Sequence, residues 1–315
     1  MELTKDSLDK RIACVIVTYN RKQLLKRCLD AVASQTYKPT VVYITDNAST
    51  DGTLDTVKEW GYYECEKEGI CFKYILNSKN EGGAGGFNLG MKTANEDAKY
   101  DALWVMDDDG EPERECLAHL VPYLDSYDYI APIVLSDKDH STCSFAANEE
   151  TIEEFAKNMK AHDGVIDNWA SPFNGILYSK RLVDKIGYPQ KELFIWGDES
   201  NYHFRAKKVG VNPITILSAV HYHPVNRQDT VKSFRNYPII LPSADWKLYC
   251  YIRNLVFNDK IFRGKIQALR AIFAFIFLYG YFFVKNNELK RLIIVLEACK
   301  DGYCQNFQRH DHYIK

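Results

Sequence analysis

The sequence lacks a surplus of charge of either sign: 40 Lys and Arg stand against 42 Asp and Glu in 315 residues, a formal net charge of −2. Without a basic excess the chain does not carry the footprint of a nucleic-acid binder. With 46% hydrophobic residues it is too apolar to be disordered. It also lacks a Cys-x-x-Cys pair. Its nine cysteines are odd in number, and Cys14 in IACVIV and Cys28 in LLKRCLDAV lie in apolar runs. They read as buried thiols of a protein kept in the reducing cytosol. No secretory signal is expected, because MELTKDSLDKR is too charged to be one. There is no internal repeat and no low-complexity linker. The apolar run AIFAFIFLYGYFFV, 271–284, has 14 residues, short of the ~20 needed to span a bilayer. The length allows one large domain or one domain with an appendage.

What is present alternates between strand and helix patterns over the first 135 residues. IACVIV (12–17), VVYIT (41–45), FKYIL (72–76) and ALWVM (102–106) are short, apolar and bounded by polar residues, so each predicts a buried strand. After the first, Asn20 predicts an N-cap, with Leu24, Leu25, Cys28, Leu29 and Val32 at helical spacing. Asp51 predicts the cap of a second helix. A glycine-rich turn predicts a third helix near 84–95. NGILY (174–178) reads as a further strand and 199–209 as a helix. Strands alternating with helices imply an α/β fold with a mostly parallel sheet flanked by helices.

In such sheets ligands bind beyond the carboxyl ends of the strands, and the polar signals fall there. Strand one ends in Thr18-Tyr19-Asn20, strand two in Asp46-Asn47-Ala48-Ser49, and strand four in Asp107-Asp108-Asp109-Gly110. Three adjacent carboxylates repel one another and are costly to bury. A hard divalent cation, Mg²⁺ or Mn²⁺, removes that cost; a solvated acidic turn is the alternative. The stretch from Asn80 to Gly90 holds five glycines in nine residues. It fits neither a complete Gly-x-Gly-x-x-Gly nor a P-loop, and predicts close approach of backbone to a ligand. Asp198-Glu199 opens a predicted helix. The pair is either a helix N-terminal charge preference or the source of a general base. His221 and His223, two apart on a predicted strand, supply one candidate metal ligand.

Taken together these segments resemble the family 2 glycosyltransferases of GT-A fold. VIVTYNRKQLLKRCLDAVASQTY, ITDNASTDGT, WVMDDDG and FIWGDESNYHFRA follow that family's motifs in order and spacing. NEGGAGGFNLGM and WVMDDDG look most like its galactofuranosyl- and rhamnosyltransferase branch. The resemblance implies a UDP- or dTDP-sugar donor, Mn²⁺ or Mg²⁺, and a glycan or lipid-linked acceptor. It implies that Asp46 meets the base, that Thr18, Asn20 and Asn47 line the donor pocket, and that Asn80, Gly82 and Gly83 flank ribose and diphosphate. Asp107 and Asp109 would serve ribose and metal, Asp108 would be a further donor contact able to share the metal, and His223 or His221 would be the late metal ligand. Arg205 stands six residues after Glu199, which places Glu199 in the base position, with Asp198 the alternative. Trp196 would face the acceptor. The reaction implied inverts the anomeric centre. Competing readings are a nucleotidyltransferase, whose glycine loop would want a basic residue absent between Asn80 and Met91, and a non-catalytic sugar-nucleotide module.

The expected division is a glycosyltransferase domain over 1–245, with 11–110 its nucleotide half and 111–245 its acceptor half, and a helical extension over 246–315. From Trp246 onward there are 12 basic and five acidic residues, leaving −9 on residues 1–245. The apolar run in this basic extension is either a buried core helix, a dimer interface, or a segment resting on an anionic membrane surface through 260–300. The expectation is a cytoplasmic protein, peripheral on the inner face of the membrane if the last reading holds.

Overall fold

The computed structural model describes residues 10–97, 99–146, 150–171, 173–225 and 229–314. The charged segment 1–9 lies outside the described residues. The chain divides into two compact units: one runs up to Pro189 and takes up the segment from Arg205, and the other joins Gln190–Phe204 to the C-terminal helices. The boundary expected at 245 therefore does not match this division, because 190–204 and the strands before 245 pack with those helices.

The first unit is built on β1 (Ile12–Thr18), α1 (Lys22–Ala33), β2 (Val41–Asp46), α2 (Thr53–Glu59), β3 (Cys65–Lys67), β4 (Ile70–Leu76), α3 (Gly82–Asp97) and β5 (Ala102–Asp107). It continues through β6 (Glu111–Pro112), α4 (Cys116–Leu120), β7 (Tyr129–Ser136), α5 (Ile152–Asn158), β8 (Val165–Asp167), β9 (Asn174–Ser179), α6 (Lys180–Ile186) and β10 (Ile214–His223). The sheet order is β3-β4-β2-β1-β5-β9-β7-β10-β6, with β8 paired to β10.

β1 is buried along all seven residues because parallel neighbours flank it on both sides, which is why its sequence is a continuous apolar run. β4, β2, β1 and β5 form the parallel block. β9 then enters antiparallel to both β5 and β7, so the sheet is mixed. The registers Thr18 to Asp46, Asp46 to Leu76 and Val17 to Asp107 bring four strand ends to one edge.

Two local expectations change. Asn20 is not the cap of α1. It takes a left-handed conformation, φ 53°, and its Oδ1 accepts from the Thr50 amide at 2.7 Å, tying the β1 end to the β2 end. The glycines are not a turn before a helix but the first two turns of α3 itself. A Cβ on Gly86 would lie 2.5 Å from Val17 Cγ1, and one on Gly90 would lie 2.6 Å from Val15 Cγ1. One helical turn apart, these two positions let α3 lie directly on β1. The glycine density thus serves close helix-sheet packing as well as the strand end.

The second unit holds the N-terminal part of α7 (Asp198–Lys208), the hairpin β11 (Thr230–Lys232) and β12 (Pro238–Ile240), and the helices α8 (Asp245–Asn258), α9 (Lys265–Lys285), α10 (Leu289–Cys304) and α11 (His310–Tyr313). Its core is Leu248, Tyr249, Ile252 and Val256 of α8 against Tyr279 and Phe283 of α9 and Val295 and Ala298 of α10. The 14-residue apolar run belongs to a helix of 21 residues, long and apolar enough to cross a bilayer by length and composition. It packs on that core through Tyr279 and Phe283, while of its residues only these two and Ala268 are buried.

Candidate active site

Beyond β2, Asp46 is buried. Its Oδ1 accepts from the Ser49 amide at 2.8 Å and its Oδ2 from the Tyr74 hydroxyl. Both contacts fix the carboxylate plane while leaving lone pairs for a further donor. Asn47, also buried, faces the 77–82 segment. Its Nδ2 donates to Asn80 Oδ1 at 3.0 Å and to the Gly82 carbonyl at 2.8 Å. Its Oδ1 accepts from Asn77 Nδ2 and the Glu81 amide, each at 3.1 Å. The amide is thus fully used in clamping the segment that starts α3. Asn80 Oδ1 also accepts from the Gly82 amide at 2.8 Å. At Gly83 nothing lies within 4 Å of where a Cβ would stand, so this first helical turn is open.

The three aspartates at the end of β5 differ in burial. Asp107 continues the strand and is half-buried. Asp108 is buried, and Thr18 Oγ1 donates to it at 2.7 Å. Burial pushes its carboxyl up to about 6, against the pull of Arg21 and Thr18. Asp109 is bound on one side by Arg21, whose Nη1 lies 2.9 Å from Oδ2. Burial would raise its carboxyl, but the His223 and Arg21 contacts outweigh it and hold the group below the usual range. Arg21 therefore links Asp108 and Asp109. Sequence reasoning missed it; the signal was a basic pair, Arg21-Lys22, just after the first strand end, with three carboxylates at the end of the neighbouring strand.

The two histidines of β10 separate. His221 is fully buried between two glycines: a Cβ on Gly110 would lie 2.1 Å from its Nε2, and one on Gly175 would lie 2.8 Å from its Nδ1. Neither ring nitrogen has a hydrogen-bond partner, and burial lowers its basicity to about 3. His223 is the one beside the acidic cluster, with Nε2 3.2 Å from Asp109 Oδ1. Its Nδ1 lies 2.7 Å from the Pro224 carbonyl. A carbonyl only accepts, so Nδ1 donates to it, and Nε2 is the nitrogen turned toward the carboxylate oxygen. Asp109 Oδ1 is itself buried. A carboxylate oxygen and an imidazole nitrogen are both atoms a divalent cation takes as ligands, and fixing the far nitrogen is how a histidine is oriented toward a metal. Among the described residues no group of three or more His, Cys, Asp or Glu side chains gathers into a metal cage. Exposed Phe145 has its ring centroid 5.2 Å from that of His223, a second neighbour the sequence did not signal.

In the second unit, Asp198 is buried at the start of α7. Glu199 is only half-buried, and its Oε2 accepts from the Gly197 amide at 3.1 Å. Trp196 just before them takes φ 57° and stands edge-on to Tyr251, with ring centroids 6.0 Å apart. In the first unit Arg205 Nη1 donates to the Tyr188 carbonyl at 2.7 Å.

An α/β sheet with buried polar side chains at its carboxyl edge and an acidic strand end facing a histidine has the layout of a GT-A glycosyltransferase. The solved mannosyltransferase PcManGT of Pyrobaculum calidifontis, in complex with GDP-Man and Mn²⁺, shares this fold at a TM-score of 0.55 and 18% identity, over 93% of this chain and 87% of its own. TarS 1–349 of S. aureus, in complex with UDP-GlcNAc, does so at 0.55 and 14%, over 93% of this chain and 81% of its own. The description of glycosyl transferase family 2 matches residues 13–187. Galactofuranosyltransferase GlfT1 of Mycolicibacterium smegmatis is 31% identical over 222 residues, 68% of this chain and 70% of its own. The chain belongs to glycosyl transferase family 2, and it is a glycosyltransferase. The nucleotidyltransferase and non-catalytic readings are thereby set aside.

Proposed function

We propose that this glycosyltransferase is inverting, depends on Mn²⁺ or Mg²⁺, and moves galactofuranose from a UDP donor to a glycan or lipid-linked acceptor in cell-surface polysaccharide synthesis. The observation that carries the metal dependence is the Asp109–His223 pair, Oδ1 and Nε2 3.2 Å apart with Nδ1 tied to the Pro224 carbonyl. Asp109 and His223, with Asp107, would hold the cation. When bound, a divalent cation offsets the charge of the donor diphosphate and of the departing nucleotide. The relationship to the mycobacterial galactofuranosyltransferase at 31% identity supports the choice of donor sugar.

The residues divide the work. Asp46 receives the base edge. Thr18 and Asn20 border the base and ribose, and Asn80, Gly82 and Gly83 the ribose and diphosphate. Asn47 keeps that segment in place. Arg21 holds Asp108 and Asp109 together. Glu199, with Asp198 the alternative, takes the proton of an acceptor hydroxyl as its oxygen attacks the anomeric carbon from the face opposite the diphosphate. The glycosidic bond to phosphate breaks and the nucleotide diphosphate leaves with the bond pair. Trp196 offers the acceptor sugar an aromatic face. Incubating the purified chain with UDP-galactofuranose or dTDP-rhamnose, each with Mn²⁺ or EDTA, and measuring nucleotide release tests this reading. Release from dTDP-rhamnose alone would overturn the donor assignment, and release unaffected by EDTA the metal assignment.

A lipid-linked acceptor places the enzyme at a membrane, and α9 supports such a placement. Its exposed side includes Ile266, Leu269, Phe273, Ile276, Phe277 and Val284, spaced along one helical stripe of about 27 Å. Between 260 and 296 there are seven Lys and Arg against one Glu. An apolar stripe with basic borders suits an anionic bilayer surface, with the helix in the plane of the headgroups.

A further inference from the structure

The loop that leads into the acidic pair is strained. Phe194, Trp196 and Gly197 have φ of 66°, 57° and 98°, so two side-chain-bearing residues within three positions hold left-handed backbone. Each such residue costs on the order of 1–3 kcal/mol and persists only where its surroundings over-determine it.

Those surroundings are one face of α8. Arg253 Nη2 donates to the Leu193 carbonyl at 2.7 Å. Asn254 Nδ2 lies 2.9 Å from the Ile195 carbonyl and 2.6 Å from that of Trp196. Asn258 Nδ2 donates to the Gly197 carbonyl at 2.8 Å, and its Oδ1 accepts from Asn201 Nδ2 in the first turn of α7 at 2.9 Å. Asn254 Oδ1 in turn accepts from Arg253 Nε at 2.9 Å. Gly197 fits because a Cβ there would stand 2.9 Å from that of Asn254. Lys247 and Tyr251, on the same stripe, touch the Trp196 ring.

We propose that Arg253, Asn254 and Asn258 are positioning residues of the transfer reaction: they hold the 193–197 loop in the one conformation that sets the Asp198–Glu199 pair and Trp196. Arg253 and Asn254 are fully buried and Asn258 nearly so. Arg253 finds carbonyl and amide oxygens as partners, not a carboxylate. The loop carbonyls need donors that an apolar stripe would not supply, and burying a cation and two amides forfeits hydration that only such contacts return. What the polar stripe adds is a donor at four loop carbonyls, those of Leu193, Ile195, Trp196 and Gly197, the first three met by Asn254 Nδ2. The C-terminal helices are then part of the reaction machinery rather than an appendage.

The inference rests on the acidic pair supplying the base, and the experiment separates the two. Asn258→Ala and Asn254→Ala are compared with Glu199→Gln and Asp198→Asn in nucleotide release from UDP-galactofuranose, with Mn²⁺–UDP affinity and melting temperature measured on each. Positioning predicts that the α8 variants lose kcat by about 10²-fold, as displacement of a reacting group by ~1 Å does, while UDP affinity stays within about twofold and the protein stays folded. A purely structural role predicts a lower melting temperature with kcat per UDP-binding site unchanged, which would overturn the proposal. Should Asn254→Ala fail to fold, Asn258→Ala alone decides, since it cuts only the Gly197 and Asn201 links, and Asn258→Gln is expected to restore part of kcat. If both acidic-pair variants retain turnover, the base assignment fails, and that result is separate from the kcat of the α8 variants.

Discussion

His223 Nε2 faces Asp109 Oδ1 across 3.2 Å, with Nδ1 held by the Pro224 carbonyl. Both facing atoms are ones a divalent cation takes as ligands. His223→Ala is therefore expected to leave the fold intact and to weaken Mn²⁺-dependent UDP binding by tenfold or more, in the range typical of disturbed metal sites. Calorimetric titration of UDP with and without Mn²⁺ checks it. Metal-independent affinity in the wild type would place the cation elsewhere.

Arg21 bridges Asp108 and Asp109, two carboxylates that would otherwise repel. Arg21→Gln is expected to cost stability and donor affinity together. Both contacts come from the one nitrogen Nη1, so Arg21→Lys is expected to keep part of the bridge. Denaturant melts and UDP titration of both variants test this; wild-type values for Arg21→Gln would show the bridge to be idle.

Asn47 spends both ends of its amide on the 77–82 segment. Asn47→Ala leaves buried partners unsatisfied and is expected to cost about 1–3 kcal/mol, and also to reduce donor affinity. Asn47→Asp sets a buried carboxylate oxygen against the Asn80 Oδ1 and Gly82 carbonyl acceptors and is expected to cost at least as much, which denaturant melts check.

Gly86 and Gly90 seat α3 on β1. Gly90→Ala forces a methyl against Thr45 and Val15, an overpacking expected to cost about 1–3 kcal/mol, whereas Gly83→Ala, in open space, is expected to leave stability unchanged. Chemical denaturation distinguishes them.

If α9 lies on an anionic surface, Phe273→Ser with Phe277→Ser is expected to reduce co-sedimentation of the full chain with phosphatidylglycerol vesicles. Arg270→Glu with Lys285→Glu is expected to do so most at low salt. Equal recovery of wild type and variants would contradict the membrane reading, and self-association in sedimentation velocity would assign the stripe to a second copy.

Much of this architecture was legible in the sequence. Of the four parallel strands, β1, β2 and β5 announce themselves because strands buried on both faces are continuous apolar runs, and their polar ends follow at once; β4, expected to be buried, is so only in part. The glycine run misled because the same residue type serves turns, phosphate approach and helix-sheet contact, and only the Val15 and Val17 positions reveal the last. His221 and His223 were equivalent on paper. Their difference lies in Gly110 and Gly175, which enclose one ring, and in Pro224, which orients the other. Asn254 and Asn258 were invisible among apolar helix residues, since their partners are carbonyls some 60 positions earlier, and carbonyls leave no trace in side-chain identity.

The account turns on a cation held by Asp109 and His223 while sugar is transferred. Nucleotide release from UDP-galactofuranose by wild type and by Asp109→Asn, each with Mn²⁺ and with EDTA, tests it most directly. The account predicts turnover in wild type with Mn²⁺ only, and its loss in Asp109→Asn with the melting temperature preserved. Equal turnover with EDTA, or a fully active Asp109→Asn, would contradict it.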